Sequence, residues 1–364
     1  GPIPNPQSPI PNPQSPIMSI IFLLSIIFFK MKEQNKKKKI NYSIELLRLI
    51  LSFWVVLQHT YKNIHKYNKA KFHVPTFIII SFYFYYNTLK IKSIIKINQR
   101  FQRIIIPYIF WPIFIYINNN LLFALFGYSI FNHMIKLKRL LLQLIFGSAF
   151  HLIFYYQFIL ILFTLLFTII VFIFNKSSIF IFQILLILSY ILQYSYWNLN
   201  FFDKYSFTIV CSLGHIVEFL PFAVTGLFSG YLDIIEKSKQ FKRLSTFYSI
   251  IIFFLIIKFE IFVRINGFWF PGIIFNIGAI CIFIFFSILS FQNRKSIDLL
   301  KIITKFTGGI YYIHMICFFC LEKKLLFLKK RTFLSSVFIY IISYINCYLG
   351  NKICGTTRLK FLFN

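Results

Sequence analysis

The sequence predicts an all-α polytopic membrane protein with about ten transmembrane helices and both termini on the cytosolic side. Three observations lead there. The 364 residues are 58% apolar by type and only 13% charged, with a mean hydropathy of +0.74, where a soluble domain carries about a quarter charged residues. The apolar residues form runs approaching the roughly 20 needed to cross a bilayer as helix. These runs are near-continuous rather than alternating, which is not the period-two pattern of a membrane barrel. The 39 Lys and Arg outnumber the 9 Asp and Glu for a formal charge of +30, yet they fall in short clusters between the apolar runs. That is the layout of membrane loops, and it removes nucleic acid as the reason for the charge.

In chain order, residues 1–17 are Gly-Pro-Ile and two copies of Pro-Asn-Pro-Gln-Ser-Pro-Ile, too rich in proline for helix or core and expected to be disordered. Residues 18–42 join an apolar run ending at Phe29, too short to span, to the lysine-rich stretch Lys30–Lys39. An interfacial segment with a basic cytosolic tail is expected. Residues 43–350 carry ten apolar segments, at about 43–61, 73–89, 104–118, 152–174, 178–196, 211–233, 246–263, 268–290, 306–321 and 333–349. Polar clusters, Pro and Asn set the breaks. Residues 351–364 form a cytosolic tail in this scheme.

Placing the N-terminus inside puts the larger share of Lys and Arg on the cytosolic side, in Lys30–Lys39, Lys90–Arg103, Lys237–Arg243, Arg294–Lys305 and the C-terminal tail. Lys62–Lys71 and Lys323–Arg331 then face outward. The longer outer connection, about 119–151, follows Asn118-Asn119-Asn120 and holds Lys136, Lys138 and Arg139. It suits a re-entrant or amphipathic segment. The six cysteines lie mostly in or beside apolar runs, so Cys317-Phe-Phe-Cys320 reads as packing rather than redox or zinc.

An ionisable side chain inside a membrane segment is costly, so the few that occur there carry the information. The first segment holds Glu45, Arg48 and His59. Eleven residues at 100° each bring His59 back to the face of Arg48, three turns and about 20° on and roughly 16 Å along the axis. Glu45 lies one turn from Arg48, within pairing distance. Arg48 can snorkel to the inner interface and His59 can cap the outer end; both can equally serve chemistry. His73-Val-Pro75 opens the second segment with Ser81 one to two turns deeper, and Arg100-Phe-Gln-Arg103 closes the next cytosolic loop ahead of Pro107-Tyr108. Two arginines at i and i+3 share a face and can clasp a phosphate, or anchor the loop at the inner surface. Gly308-Gly309-Ile310-Tyr311-Tyr312-Ile313-His314 sets another histidine deep in an apolar run.

The order of these motifs resembles the integral-membrane acyltransferase family 3, O-acetyltransferases of lipopolysaccharide, peptidoglycan and other surface glycans. Glu45-x-x-Arg48-x10-His59, His73-x-Pro75 with Ser81, Arg100-x-x-Arg103 and Tyr311-x-x-His314 carry the resemblance, with Pro221-Phe-Ala-Val-Thr-Gly226 in the sixth segment, over about residues 40–350. It implies a multi-pass protein of the plasma or inner membrane that moves an acyl group, such as acetyl, from cytosolic acyl-coenzyme A to a hydroxyl of a surface or lipid-linked glycan. On that resemblance His59 matches the essential histidine, Arg48 its arginine partner with Glu45 in place of the usual Asp, and Arg100 and Arg103 the donor-binding pair. His73, Ser81, Tyr311 and His314 are further site candidates. Where the family has Ser-Gly, this chain has Ser81-Phe82, which sets a ring where close helix packing is expected. Dispersed histidines and few carboxylates give no metal-ligand spacing.

Two other classes share the layout. A multi-pass transporter or glycan flippase would use His215, Glu218 and the Glu260 and Arg264 pair along a substrate path. An inactive membrane scaffold of the same family is the third.

Overall fold

The computed structural model describes residues 41–61, 73–126, 134–147, 154–173, 179–198, 207–265, 271–289, 294–322, 325, 328, 330–354 and 362–363. The proline repeat and the short apolar run with its lysine tail lie outside them. The ordered elements are α1 (Tyr42–Thr60), α2 (His73–Lys90), α3 (Ile94–Phe126), α4 (Leu137–Phe146), α5 (Tyr155–Ile173), α6 (Ile179–Asn198) and α7 (Phe207–Tyr231). They continue as α8 (Ile234–Gln240), α9 (Lys242–Ile265), α10 (Pro271–Ile288), α11 (Arg294–Thr304), α12 (Thr307–Glu322) and α13 (Phe333–Cys354). Each of the ten apolar segments falls on one of these helices, and α4, α8 and α11 are additional.

Among the described residues four helices, α3, α5, α7 and α13, are long and apolar enough to cross a membrane, and α11 with α12, bent by 46° at their junction, makes a fifth if the pair is one span. α1 and α2 are less apolar for a reason visible in their sequences. α1 spends positions on Glu45, Arg48, Ser52, Gln58 and His59, and α2 on His73, Thr76, Ser81 and three tyrosines. Outward faces are apolar instead: Leu165, Leu166 and Ile169 on α5 and Leu334, Ile341 and Ile345 on α13 are exposed. Lipid covers such a surface without penalty, whereas water does not.

Among the described residues two apolar clusters form the interior. One gathers α2, α5 and α7 around Ile79, Phe82, Phe163, Phe167, Ala223 and Leu227, with Ile44, Leu47 and Leu51 of α1. The other gathers α3, α12 and α13 around Trp111, Ile310, Phe318 and Ile339, with Val56 of α1. α1 therefore runs along the seam between them. Asn41 caps its start by accepting from the Ser43 and Ile44 N–H groups at 3.2 and 3.4 Å. Hydroxyls tie down its length: Ser52 to Tyr340 at 3.0 Å and Thr60 to Ser336 at 2.7 Å, both partners on α13.

α2 and α7 approach closely because α7 presents Gly226 and Gly230 four residues apart. A Cβ at 226 would lie 2.6 Å from the Ile79 carbonyl oxygen and 3.0 Å from Phe82 Cβ, and one at 230 would lie 2.9 Å from the Tyr83 carbonyl oxygen. Such small-residue pairs let membrane helices meet backbone to backbone.

α3 corrects one expectation. The helix begins at Ile94, with the Ser93 hydroxyl accepting from the Lys96 N–H at 3.4 Å, so Arg100 and Arg103 are helical rather than in a loop. No Pro or Gly interrupts Ile94–Arg103, and Ile97 and Ile104 supply a buried stripe. α3 also continues past Asn118, and Asn120 clasps both the N–H and the carbonyl of Ile135 at 2.8 and 3.0 Å. The expected amphipathic segment is α4, with Leu137, Leu141 and Ile145 exposed along one side and Leu140 and Gln143 buried on the other. Tyr108 closes it by donating to the Gln143 carbonyl at 2.8 Å, and Gly147 ends it in the left-handed region at φ 76°.

Candidate functional site

The seam helix α1 carries the first group. One Arg48 guanidinium nitrogen lies 3.1 Å from both oxygens of Glu45, one turn earlier. Glu45 stands N-terminal to Arg48, the favourable order for a helical pair. The two side chains are 25% and 38% exposed, so the pair orients Arg48 more than it stabilises the fold.

The second group joins three helices. Arg100 of α3 donates to the Ser81 carbonyl at 3.2 Å, to the Ser81 hydroxyl at 2.9 Å and to the Thr164 hydroxyl of α5 at 3.1 Å. Its guanidinium carbon also sits 4.3 Å from the ring centre of Tyr85 and 5.1 Å from that of Phe82. Two aromatic faces and three oxygens thus surround one cation, a geometry that a planar fork fills and an ammonium does not. Arg103 is exposed while Arg100 turns inward. The expected paired clasp is therefore split: i and i+3 differ by about 60° around the helix, enough here to give the two arginines separate surroundings. Phe82, the residue after Ser81, is fully buried and forms part of the seat of Arg100.

The third group meets at the other end of α1. The rings of His59 and His314 lie 5.4 Å apart, and Tyr311 lies 6.2 Å from His314. His314 is fully buried, and its Nδ1 lies 3.0 Å from the Ile310 carbonyl. A carbonyl only accepts, so Nδ1 carries the proton and Nε2 is the basic nitrogen of the neutral ring. His59 is the partly exposed member of the pair. His73 is buried in the first turn of α2.

Tyr156 connects these groups, and no motif marked it. It stands in the first turn of α5 with its ring 5.4 Å from Tyr311 and 6.4 Å from Phe77, within electrostatic range of both Arg48 and Arg100. Side chains from α1, α2, α3, α5 and α12, five segments far apart in sequence, therefore make up these three groups. Residues 41–351 match the family described as acyltransferase domain. The chain belongs to acyltransferase family 3. No curated protein and no solved structure matches it.

Family membership covers nearly all of the described helices, so the motifs and the domain coincide. On α7, His215 and Glu218 lie 3.6 Å apart, with Tyr155 stacked on the His215 ring at 4.2 Å. Glu218 is 36% exposed, not buried as a transport path would want it. The Glu260 and Arg264 side chains lie outside the described residues. Cys317 is buried and Cys320 exposed, and neither forms a disulfide among the described residues. Among those residues no three His, Cys, Asp or Glu side chains converge as metal ligands would.

Proposed function

We propose that the protein is a membrane O-acyltransferase that moves an acyl group, such as acetyl, from cytosolic acyl-coenzyme A to a hydroxyl of a surface or lipid-linked glycan. The observation that carries this reading is the convergence of His59 with His314 on the face of α1 that also carries Arg48. Ten membrane passes with both termini cytosolic belong to the same proposal, and they set the arginine end inside and the histidine end outside.

In this reading Arg48, oriented by Glu45, and the exposed Arg103 meet the donor's phosphates, to which a guanidinium offers parallel N–H donors. Arg100 has three of its five N–H groups engaged by Ser81 and Thr164, so it fixes α2 and α5 against α3 and positions the donor site. The thioester reaches His59, roughly 16 Å along α1 from Arg48. His59 takes the proton of the acceptor hydroxyl as its oxygen attacks the thioester carbonyl. Collapse of the tetrahedral intermediate expels the coenzyme A thiolate, which takes the proton back. Partial exposure suits His59 to meeting an acceptor, and burial suits His314 to holding the His59 ring.

The test is acyl transfer by purified protein from labelled acetyl-coenzyme A to a glycan acceptor. General-base catalysis contributes about 10²- to 10⁴-fold, so His59→Ala should lose detectable transfer while still binding donor. Equal activity in the two proteins removes His59 from the mechanism, and a wild type that binds no acyl-coenzyme A removes the donor.

A further inference from the structure

Two buried polar side chains beside the site have no hydrogen-bond partner among the described residues. Gln157 is 1% exposed, and neither its carboxamide oxygen nor its nitrogen is bonded; Trp111 is 4% exposed with its indole N–H likewise unpaired. An interior amide left so is destabilising, and native structures keep few such groups.

Their positions are related. Gln157 follows Tyr156, whose ring lies 5.4 Å from that of Tyr311. Seven residues along α5, on the same face to within about 20°, Thr164 receives Arg100. Gln157 thus stands about 10 Å from that knot, toward the tyrosines. Trp111 follows Arg100 on α3 by the same eleven-residue step that separates Arg48 from His59, roughly 16 Å on, and stacks on Tyr312 at 6.1 Å. Both groups therefore lie on helix faces that start at the arginines and run toward Tyr311 and Tyr312.

We propose that Gln157, with Trp111, binds the pantetheine arm of the acyl donor. The inference rests on the acyl-coenzyme A reading above and adds the residues that hold the donor between its two ends. The arm carries two amide groups, each with one N–H and one carbonyl, across the stretch between phosphates and thioester. The Gln157 carboxamide offers two N–H donors and one carbonyl acceptor, and the Trp111 indole a further donor. A glycan acceptor, arriving at the histidine end, does not reach along this stretch.

The experiment uses the full chain in detergent and compares acetyl-coenzyme A with adenosine 3′,5′-bisphosphate, which shares the nucleotide end and lacks the arm. Gln157→Met should weaken acetyl-coenzyme A binding roughly tenfold, or about 1.4 kcal/mol, and leave the bisphosphate unchanged. Its ligand-free unfolding temperature should stay level or rise, because an unpaired amide has left the interior. Trp111→Phe, which keeps the ring and removes only the N–H, should weaken acetyl-coenzyme A alone by a smaller factor. Unchanged acetyl-coenzyme A affinity in both variants overturns the assignment. So does equal weakening of both ligands with a lower unfolding temperature, the mark of a structural role. A wild type that binds neither ligand instead defeats the donor reading on which the inference rests.

Discussion

Arg100 and Arg103 are separated by the structure, and their substitution should separate them in the test tube. Arg100→Ala removes three hydrogen bonds at 2.9 to 3.2 Å and a cation held over two rings. Bonds from a charged donor are worth about 1.5–3 kcal/mol each and do not add fully; the ring contacts contribute about 0.5–2 kcal/mol. The neighbours partly recover, since Ser81 and Thr164 hydroxyls can turn to other acceptors, so a loss of about 3–5 kcal/mol is expected for this buried cluster. Arg100→Lys retains one bond and part of the ring contact, for a loss of about 2 kcal/mol. Arg103→Ala, an exposed change, should stay within about 0.5 kcal/mol and instead weaken donor binding. Reversible denaturation in mixed micelles reads the first quantity and calorimetric titration with acetyl-coenzyme A the second. Equal stability losses at both positions would refute the division between a positioning arginine and a ligand-facing one.

Other expectations follow from single contacts. Glu45→Gln should change stability by less than about 1 kcal/mol, given a half-exposed i,i+3 pair, and yet lower transfer activity by releasing Arg48; a large unfolding shift would show the pair to be structural. Gly226→Val drives a side chain into the Ile79 carbonyl, so it should cost about 1–3 kcal/mol or more by overpacking, measured by the same micelle denaturation. A wild-type-like curve would mean that α2 and α7 are less closely held. Single cysteines at Lys66 and Ile91, which flank α2, should label from opposite sides of the membrane in a strain whose native cysteines are replaced. Labelling from one side defeats the ten-pass topology and the assignment of the donor side with it.

How much of this the sequence carried depends on what each residue competes with. The ten apolar segments were legible because lipid and helix packing impose the same long apolar run, and all ten fall on helices. The start of α3 was not, because Lys96, Gln99, Arg100 and Arg103 read along the chain as a polar cluster. Around a helix they interleave with Ile97, Phe101 and Ile104, and the same stretch becomes a two-sided first three turns. Glu45, Arg48 and His59 had a signal, as ionisable side chains in an otherwise apolar run. Tyr156 had none: in a chain with 21% aromatic residues a tyrosine at a helix start carries no contrast. Gln157 did have a signal, as the one carboxamide in the apolar run Tyr155–Ile173, and the cost of an amide in such a run was the argument that could have found it.

Phe82 shows why a departure from a family pattern needs the partner helix before it can be interpreted. In sequence, a ring in place of glycine argues against close packing of α2. In the structure the close approach is made by Gly226 and Gly230 on the opposing helix, against Ile79 and Tyr83 of α2, so the small residue is needed at the interface but not on α2. The ring itself packs edge to face against Phe167 at 5.4 Å and lies under the Arg100 guanidinium. Phe82→Gly would therefore remove packing from a filled core, at a cost of about 3–5 kcal/mol, and leave Arg100 with one face uncovered. The substitution and the arginine have to be understood as one unit, with the cation's orientation toward Ser81 depending on the ring beneath it.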